Sequence, residues 1–396
     1  MRVYLKLGMV LGLVLAAAAH AGPPGSDGER GRDFQIIASI TEEHFRHSEG
    51  SAVELDPGGR ILLAWSRFDV KQDREGDDNS PATIVMAYSD DAGRSWSKPE
   101  PLPVGEARLN VMQAAFLKLE DRVQLYFSVR EAGNRADKFM IESRDGGQSW
   151  SDRLQLTPGD RRYTGPNDRT IRLSSGRILL MCHTGVPAEE GEHLPVVAWS
   201  DDGGKTFQVT DPLDFEDTVP DYESAIHART PARLHEPAVV ELSDGSLYML
   251  ARSTRARFFE ARSTDGGETW TTLKPSNIPA MTAPPYMRKL NDGRIALLWN
   301  RPTDEQLADP RFNVVSAGFL KRHTLMLSIS DDDAKTWSEP VPIFNDGGEH
   351  GFAYPWFLEL SASGEVLIFA TRTPRVISPG DLVMTRMKLE ELPVEN

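Results

Sequence analysis

Residues 89–96 read SDDAGRSW, and this pattern of serine, aspartate, glycine and tryptophan decides the fold because it recurs along the chain. The other copies are SRDGGQSW at 143–150, SDDGGKTF at 200–207, STDGGETW at 263–270 and SDDDAKTW at 330–337, with starts 54, 57, 63 and 67 residues apart. Each copy follows a β-rich run, and its aspartate and glycine supply the side-chain acceptor and the positive-φ residue of a tight turn. We therefore predict that this pattern, called the box below, is a structural hairpin turn.

A second repeat lies between the boxes and consists of an apolar strand, a short turn and a second apolar strand. Its six copies are at residues 52–65, 116–127, 171–182, 239–250, 287–299 and 358–370. A period of roughly 50 to 70 residues with about four strands per unit is typical of a β-propeller. The sequence thus predicts an all-β, six-bladed β-propeller. Residues 381–387 are expected to form the third strand of the last blade, and residues 34–38 to supply its fourth and close the ring.

The N-terminus and the composition limit the function classes. Residues 1–21 have the basic start, apolar stretch and small-x-small ending of a signal peptide, so we expect a secreted or periplasmic protein. A flexible segment is expected at 22–33, and one monomeric propeller domain at 34–396. The net charge of −15 argues against nucleic acid as a partner. No later stretch has the roughly 18 consecutive apolar residues of a membrane span, so no stable membrane insertion is expected. Cys182, the one cysteine, is expected to be a buried strand residue.

Ligand-facing residues of a propeller blade are expected just before its first strand and just after its second. These positions, with the adjoining loops, hold Arg46, Glu49, Arg67, Asp77, Asp78, Asn110, Arg130, Asn167, Asp168, Arg169, His183, His235, Glu236, Arg252, Tyr286, Asn300, Arg301, Arg322, Tyr354 and Arg372. An acidic chain thus gathers many of its arginines around one axial opening. Guanidinium groups bind carboxylates in bidentate fashion, so the pattern indicates an anionic ligand.

Boxes on a six-bladed propeller with axial Arg, Asp, Glu and Tyr residues resemble the sialidases, retaining exo-glycosidases that remove terminal sialic acids. In that family an arginine triad binds the substrate carboxylate, and the resemblance implies Arg46, Arg252 and Arg322 for this role. Arg46 keeps the place of the first arginine but lacks the Ile-Pro that follows it in the family. Arg288 and Arg301 are rivals of Arg322, but Arg288 is expected within a strand and Arg301 lacks the downstream box.

The same resemblance implies a catalytic trio. Tyr354 takes the place of the nucleophile, Glu236 that of its base and Asp78 that of the acid/base, with Asp77 as a near competitor. The anomeric carbon of a sialoside carries a carboxylate, which would repel a carboxylate nucleophile. A tyrosine hydroxyl is neutral until it acts, and sialidases are the recognised tyrosine exception among retaining glycosidases.

Other polar residues near these positions are candidate substrate-binding groups. Glu49 stands beside the first arginine of the triad, where it would either tune that arginine or crowd the carboxylate pocket. Arg67 follows the second strand of blade one. Asn167, Asp168 and Arg169 either read a particular sugar substituent or brace blade three.

Two other interpretations remain open. One keeps an enzyme but makes it a hydrolase or lyase acting on another anionic glycan, such as a uronate. The other is a non-catalytic glycan-binding propeller, because this fold hosts many functions. The trio at family positions favours an enzyme on a sialylated or other anionic glycan. The histidines have no metal-binding spacing and no cofactor fingerprint is present, so neither a cofactor nor a metal in the site is expected, and a structural calcium ion stays an open alternative.

Overall fold

The computed structural model describes residues 31–70, 78–185, 193–218, 233–308, 322–374 and 379–393. The predicted signal peptide, most of the predicted flexible segment and Asp77 lie outside the described residues. Among the described residues, no helix has the length and apolar character needed to cross a membrane. The one α-helix of this part, α1, is Asp304–Ala308, and a short 3-10 helix covers Leu389–Glu391.

Strands make up most of the described chain. In chain order they are β1 (Gln35–Ala38), β2 (His44–Glu54), β3 (Ile61–Asp69), β4 (Ala82–Ser89), β5 (Glu100–Pro101), β6 (Asn110–Lys118), β7 (Val123–Ala132), β8 (Arg135–Ser143), β9 (Leu154–Gln155), β10 (Thr170–Arg172), β11 (Ile178–Gly185), β12 (His193–Ser200), β13 (Gln208–Val209), β14 (His235–Glu241), β15 (Leu247–Arg252), β16 (Arg257–Ser263), β17 (Lys274–Pro279), β18 (Tyr286–Lys289), β19 (Ile295–Trp299), β20 (Leu325–Ser330), β21 (Val341–Phe344), β22 (Gly351–Leu360), β23 (Glu365–Thr373) and β24 (Asp381–Lys388).

The strands form six four-stranded antiparallel sheets, which are the blades of a six-bladed propeller. Blades one to five each use four consecutive strands, beginning at β2, β6, β10, β14 and β18. Blade six has the order β1-β24-β23-β22, so the first strand of the described chain lies beside the last. Gln35 is opposite Met384 in this pairing. The predicted six hairpins and the predicted closure of the ring are both confirmed.

The boxes form the turns that follow the third strands. In the first box, Ser89 Oγ accepts a hydrogen bond from the backbone N–H of Gly93 at 2.8 Å. The Asp91 carboxylate accepts bonds from Ser95 N at 2.9 Å and Ser95 Oγ at 2.6 Å, and these bonds hold the pKa of Asp91 well below its ordinary value. The other boxes repeat this bonding with Asp145, Asp202, Asp265 and Asp332. The box aspartates are therefore turn-forming residues, as predicted.

Four inner strands carry a β-bulge with one residue in the left-handed region. These four bulge residues are Glu49 (φ 53°), Gln113 (φ 70°), Glu236 (φ 49°) and Tyr354 (φ 53°). A positive φ is uncommon outside glycine and is strained, whereas a bulge turns a side chain out of the regular alternation of the strand. The same device therefore recurs in blades one, two, four and six, and it controls the direction of four polar side chains.

The core lies between neighbouring blades. Trp65 of blade one and Trp356 of blade six are among the largest fully buried side chains, and they belong to the same cluster of buried residues. Trp356 stacks on Phe369 with ring centroids 5.2 Å apart. Trp65 Nε1 donates a hydrogen bond to His47 Nδ1 at 2.9 Å, so His47 carries its proton on the other ring nitrogen. This apolar packing holds the inner strands in place around the axis.

We expect His47 to make folding stability fall in mild acid. Burial, with a further contribution from His44, lowers the pKa of His47 from 6.5 to about 4. Between these values the unfolded chain binds the proton and the folded chain does not, so stability is lost as the pH falls through this window. The loss attributable to His47 between pH 7 and pH 5 is roughly 2 kcal/mol.

Urea unfolding of the wild type and of His47→Gln at both pH values measures this effect. Glutamine keeps an oxygen acceptor for the indole N–H but does not titrate. The free energy of unfolding of the wild type, relative to that of the variant, should be lower at pH 5 than at pH 7 by about 2 kcal/mol. A pH-independent difference would show that another group causes the acid sensitivity.

Candidate active site

The bulge residues face a pocket of about 210 Å³. Its lining contains both signs of charge, and it consists of Arg46, Glu49, Asp78, Met112, Gln113, Arg130, Arg162, Thr164, His183, His193, His235, Glu236, Arg252 and Tyr354. Of the residues singled out from the sequence, the structure brings together the trio Tyr354, Glu236 and Asp78 and two members of the arginine triad. The third member, Arg322, is buried and its guanidinium carbon lies 5.7 Å from the centroid of the Tyr354 ring.

Tyr354 sits on the bulge of β22 and is 9% exposed. Burial and the negative charge of Glu236 raise the pKa of its hydroxyl, and the guanidinium groups of Arg252 and Arg322 oppose this effect without cancelling it. The phenol is therefore protonated near neutral pH. A nucleophilic role would require a base to take its proton as it attacks.

Glu236, on the bulge of β14, is a buried carboxylate suited to that role. Its Oε2 accepts a hydrogen bond from Arg252, which lies at the end of β15. Its backbone N–H donates to His183 Nδ1 at 3.3 Å. Burial raises the pKa of Glu236, but the positive charge of Arg252 outweighs it with help from His183 and Arg322, so the net shift is downward. The carboxylate is thus ionised and able to accept a proton.

Arg46 and Asp78 form the opposite part of the pocket. Arg46 Nη1 donates to Asp78 Oδ1 at 2.7 Å, and its guanidinium carbon lies 3.7 Å from the centroid of the Phe68 ring. The Asp78 side chain is 59% exposed, while that of Arg46 is 3% exposed. Partial burial raises the pKa of Asp78, but the charge of Arg46 and this hydrogen bond lower it by a larger amount, so the net shift is downward. Asp78 lines the pocket, and its near competitor Asp77 lies outside the described residues.

Glu49 and Gln113 form a polar pair beside Arg46. Burial raises the pKa of Glu49 to about 7, although the charge of Arg46 opposes the shift. Gln113 Nε2 donates to Glu49 Oε1 at 3.4 Å. Gln113 Oε1 accepts bonds from Ser128 Oγ at 2.7 Å and Thr164 Oγ1 at 2.8 Å, which fixes the orientation of the amide. The amide N–H groups are thus directed toward Glu49 and the pocket.

Gln113 was missed by the sequence reasoning, as were Arg162 and His193. A signal for Gln113 does exist in the hairpin repeat. Each of the four bulge residues precedes by six positions a leucine at the end of its inner strand or directly after it, and these leucines are Leu55, Leu119, Leu242 and Leu360. Arg162 lies in the connection between β9 and β10, and His193 begins β12; neither position has a repeated sequence signal.

Asn167, Asp168 and Arg169 are buried but do not line the pocket. Asn167 Nδ2 donates to the backbone oxygen of Gly50 at 2.7 Å. Arg169 donates through Nη2 to the backbone oxygen of Pro285 at 2.7 Å. These bonds connect blade three to blades one and five, which is the bracing alternative for this segment.

Asp168 extends the same connection. It accepts hydrogen bonds from Ser51 Oγ and, at 2.7 Å, from the hydroxyl of Tyr286. Arg288, within β18 as predicted, lies 3.8 Å from its Oδ2. Arg288 and Arg301 lie outside the pocket lining, as Arg322 does, and Arg301 pairs with Asp304. Arg67 also lies outside the lining, 3.7 Å from Asp69.

We expect Asp168→Ala to lower the free energy of unfolding by about 2 to 4 kcal/mol, because two buried hydroxyl donors lose their acceptor. Asp244→Ala is a matched control, because Asp244 is exposed and bonds only within its own turn among the described residues. Its effect should be much smaller than that of Asp168→Ala. Urea unfolding of both variants makes the comparison. Equal effects would show that the Asp168 contacts do not stabilise the fold.

One group of potential metal ligands occurs in the described part of the chain. Asp346, Glu349 and His350 lie close together in the loop before β22. Asp346 Oδ2 is 2.5 Å from His350 Nδ1, and Arg372 Nη2 lies 2.9 Å from His350 Nε2. A guanidinium cation therefore already contacts this cluster.

Known proteins share the propeller fold of this chain. The family model described as BNR repeat-like domain matches residues 59–368. No curated protein matches the sequence. A Dyadobacter fermentans protein of unknown function is 18% identical with a TM-score of 0.68, over 91% of this chain and 99% of its own. The NanB sialidase from Streptococcus pneumoniae is 15% identical with a TM-score of 0.64, over 91% of this chain and 71% of its own. The intramolecular trans-sialidase from Ruminococcus gnavus, in complex with oseltamivir carboxylate, is 16% identical with a TM-score of 0.63, over 93% of this chain and 97% of its own. At these sequence identities the similarity shows a shared fold alone.

Proposed function

The chain belongs to the BNR repeat-like domain family, and on that premise we propose that it is an exported exo-α-sialidase, a retaining glycoside hydrolase that releases terminal sialic acids from glycoconjugates. The observation that carries the proposal is the Tyr354 phenol in a pocket with the Glu236 carboxylate and the Arg252 guanidinium. The sialidase fold of the structural neighbours supports it. The predicted signal peptide at residues 1–21 supports export.

Arg46, Arg252 and Arg322 would hold the substrate carboxylate. All three are buried, and buried guanidinium groups bind a carboxylate more strongly than exposed ones because water competes less. Two of them already have carboxylate partners, Asp78 for Arg46 and Glu236 for Arg252. A substrate carboxylate would therefore compete with Asp78 for Arg46. When Arg46 turns to the substrate, the pKa of Asp78 rises, and Asp78 becomes able to carry a proton.

Cleavage would proceed in two displacements. In the first, Tyr354 Oη bonds to the anomeric carbon while its proton passes to Glu236, and Asp78 gives a proton to the departing glycosidic oxygen. In the second, Asp78 takes a proton from water, whose oxygen bonds to the anomeric carbon. The bond from that carbon to Tyr354 breaks in the same displacement, and Glu236 returns the proton to the departing phenolate oxygen. Two inversions give net retention of configuration.

Incubation of the purified protein with α2,3- and α2,6-sialyllactose, following free sialic acid, tests the proposal. We expect release from at least one of the two, with the α-anomer as the first product detected by NMR. Turnover of uronate-containing glycans without any release from sialosides would replace the substrate class. Binding of sialosides without turnover would replace the enzyme by a glycan-binding propeller.

A further inference from the structure

Arg162 lines the pocket from the connection that leads into blade three. Its side chain is half-buried, and its Nε is buried without a hydrogen-bond partner. In the described part of the chain no carboxylate forms an ion pair with it. A half-buried guanidinium loses part of its hydration, and proteins normally restore this loss with an acceptor. Arg162 therefore has binding capacity that the described protein groups do not use.

Arg46 also has a buried Nε without a partner, but the terminal nitrogens of the other pocket arginines donate to acceptors of the protein. Arg46 pairs with Asp78, and Arg252 pairs with Glu236. Arg130, at the end of the second strand of blade two, donates to the backbone oxygen of Asp78 and, at 3.1 Å, to Asn79 Oδ1. These acceptors are neutral, so they leave the positive charge of Arg130 in the pocket.

Arg130 and Arg162 repel each other. Burial, and after it the positive charge of Arg130, lower the pKa of Arg162. The negative charges of Asp78 and Glu236 raise this pKa but do not cancel the decrease. Keeping two guanidinium groups together in a pocket is unfavourable in the empty protein. An anion bound between Arg130 and Arg162 would attract both guanidinium groups and offset their mutual repulsion.

Two histidines, His193 and His235, also line the pocket. His193 and His235 stack with ring centroids 5.6 Å apart. His193 Nδ1 and His235 Nε2 are buried and make no hydrogen bond to the described residues. Burial and nearby arginines, Arg162 among them, lower the pKa of His193 to about 4, so this ring is neutral near pH 7. Neutral imidazoles suit sugar hydroxyls, and the charged contacts are then left to Arg162 and Arg130.

We propose that Arg162 binds a second anionic group of the substrate, separate from the carboxylate assigned to Arg46, Arg252 and Arg322. This inference rests on the proposed function and narrows its substrate class. The preferred glycans carry two negative charges near the cleaved bond. The second charge is either a sulfate ester on the terminal sugar or the carboxylate of an adjoining acidic sugar, and both offer oxygens that a guanidinium fork can bind.

Steady-state kinetics with three substrates test this proposal. They are α2,3-sialyllactose with one charge, α2,8-disialyllactose with a second carboxylate, and a sialyllactose sulfated on its terminal sugar. The wild type is expected to have a kcat/KM at least tenfold higher for one of the two dianionic substrates than for α2,3-sialyllactose. Arg162→Gln is expected to lower kcat/KM about 10- to 100-fold for that substrate, since one charge-assisted hydrogen bond is lost. Its effect on α2,3-sialyllactose should be at least about fivefold smaller than its effect on that substrate.

Arg161→Gln is the matched control. Arg161 is the preceding residue, lies outside the pocket lining and is near Asp160. It should leave all three values unchanged, and Arg162→Lys should retain part of the preference. The dianionic substrate that loses its advantage identifies the source of the second charge.

The outcomes separate this proposal from the proposed function. If the wild type cleaves α2,3-sialyllactose but shows no preference for either dianionic substrate, the second subsite is overturned and the sialidase proposal stands. Equal losses on all substrates in Arg162→Gln would also overturn it, because Arg162 would then act on the shared part of the site. If no sialoside is cleaved or bound, the proposed function and the inference that rests on it both fail.

Discussion

Replacing Tyr354 with phenylalanine is expected to lower the rate of sialic acid release by about a thousandfold or more. The substitution removes one oxygen atom and leaves the ring that packs beside Arg322. Loss of a covalent nucleophile removes the low-energy route through two displacements, and comparable losses in hydrolases reach several orders of magnitude. The measurement is kcat for the better of the two sialyllactoses, with substrate binding followed separately by calorimetry. Binding should remain within about tenfold of the wild type.

Tyr126→Phe is the matched control for this variant. Tyr126 is fully buried in blade two, and its hydroxyl donates to Gln124 Oε1 at 2.7 Å, away from the pocket. Its loss should cost about 1 kcal/mol of stability and no activity. Full activity in Tyr354→Phe would rule out the phenol as nucleophile, whatever the substrate proves to be.

Glu236→Gln is expected to reduce kcat by about 100- to 10,000-fold, because the phenol loses the base that takes its proton. Glutamine keeps the size and an acceptor oxygen but not the charge. The variant tests the pairing most sharply in combination with Tyr354→Phe. Residues that act as a unit are not additive, so the double variant should be no slower than Tyr354→Phe alone. Additive losses would mean that Glu236 serves another step.

Stability has to be checked for this variant, because Arg252 loses its buried partner. Breaking a buried ion pair costs roughly 3 to 5 kcal/mol. Circular dichroism at the assay temperature shows whether the protein remains folded. Glu54→Gln is the control, because Glu54 is buried on the same type of strand but accepts bonds from Gly58 and Ser361 outside the pocket. It should keep its activity.

The fold was predictable from the sequence because its determinants are local and repeated. A box needs a few neighbouring residues to make its turn, and a hairpin needs only two apolar runs and a short connection. Counting such units predicts six blades. The predicted strand at residues 34–38, which belongs to none of the six hairpins, pairs with β24 as β1. Tyr354 and Glu236 could be predicted to face the axial opening because each lies near the start of an inner strand, where the position within the blade determines which face a residue approaches.

The rest of the pocket depends on how blades meet, which local patterns do not encode. Arg162 reaches the pocket from the connection between β9 and β10, and His193 reaches it from the first residue of β12. Asn167 and Asp168 occupy a position in blade three that resembles that of the bulge residues, yet their side chains bond across the axis to other blades. The sequence left substrate recognition and bracing as alternatives there, and the observed contacts are those of bracing.

The pairing of β1 with β24 has a consequence for the timing of biosynthesis. The two partners are about 350 residues apart in the chain, so at typical elongation rates roughly 20 to 70 s separate their synthesis. Blade six also carries Tyr354, so the final blade both closes the ring and completes the pocket. A nascent chain therefore cannot assemble the pocket around Tyr354 until the strands of blade six have emerged from the ribosome, and a product truncated before β24 would leave the ring open.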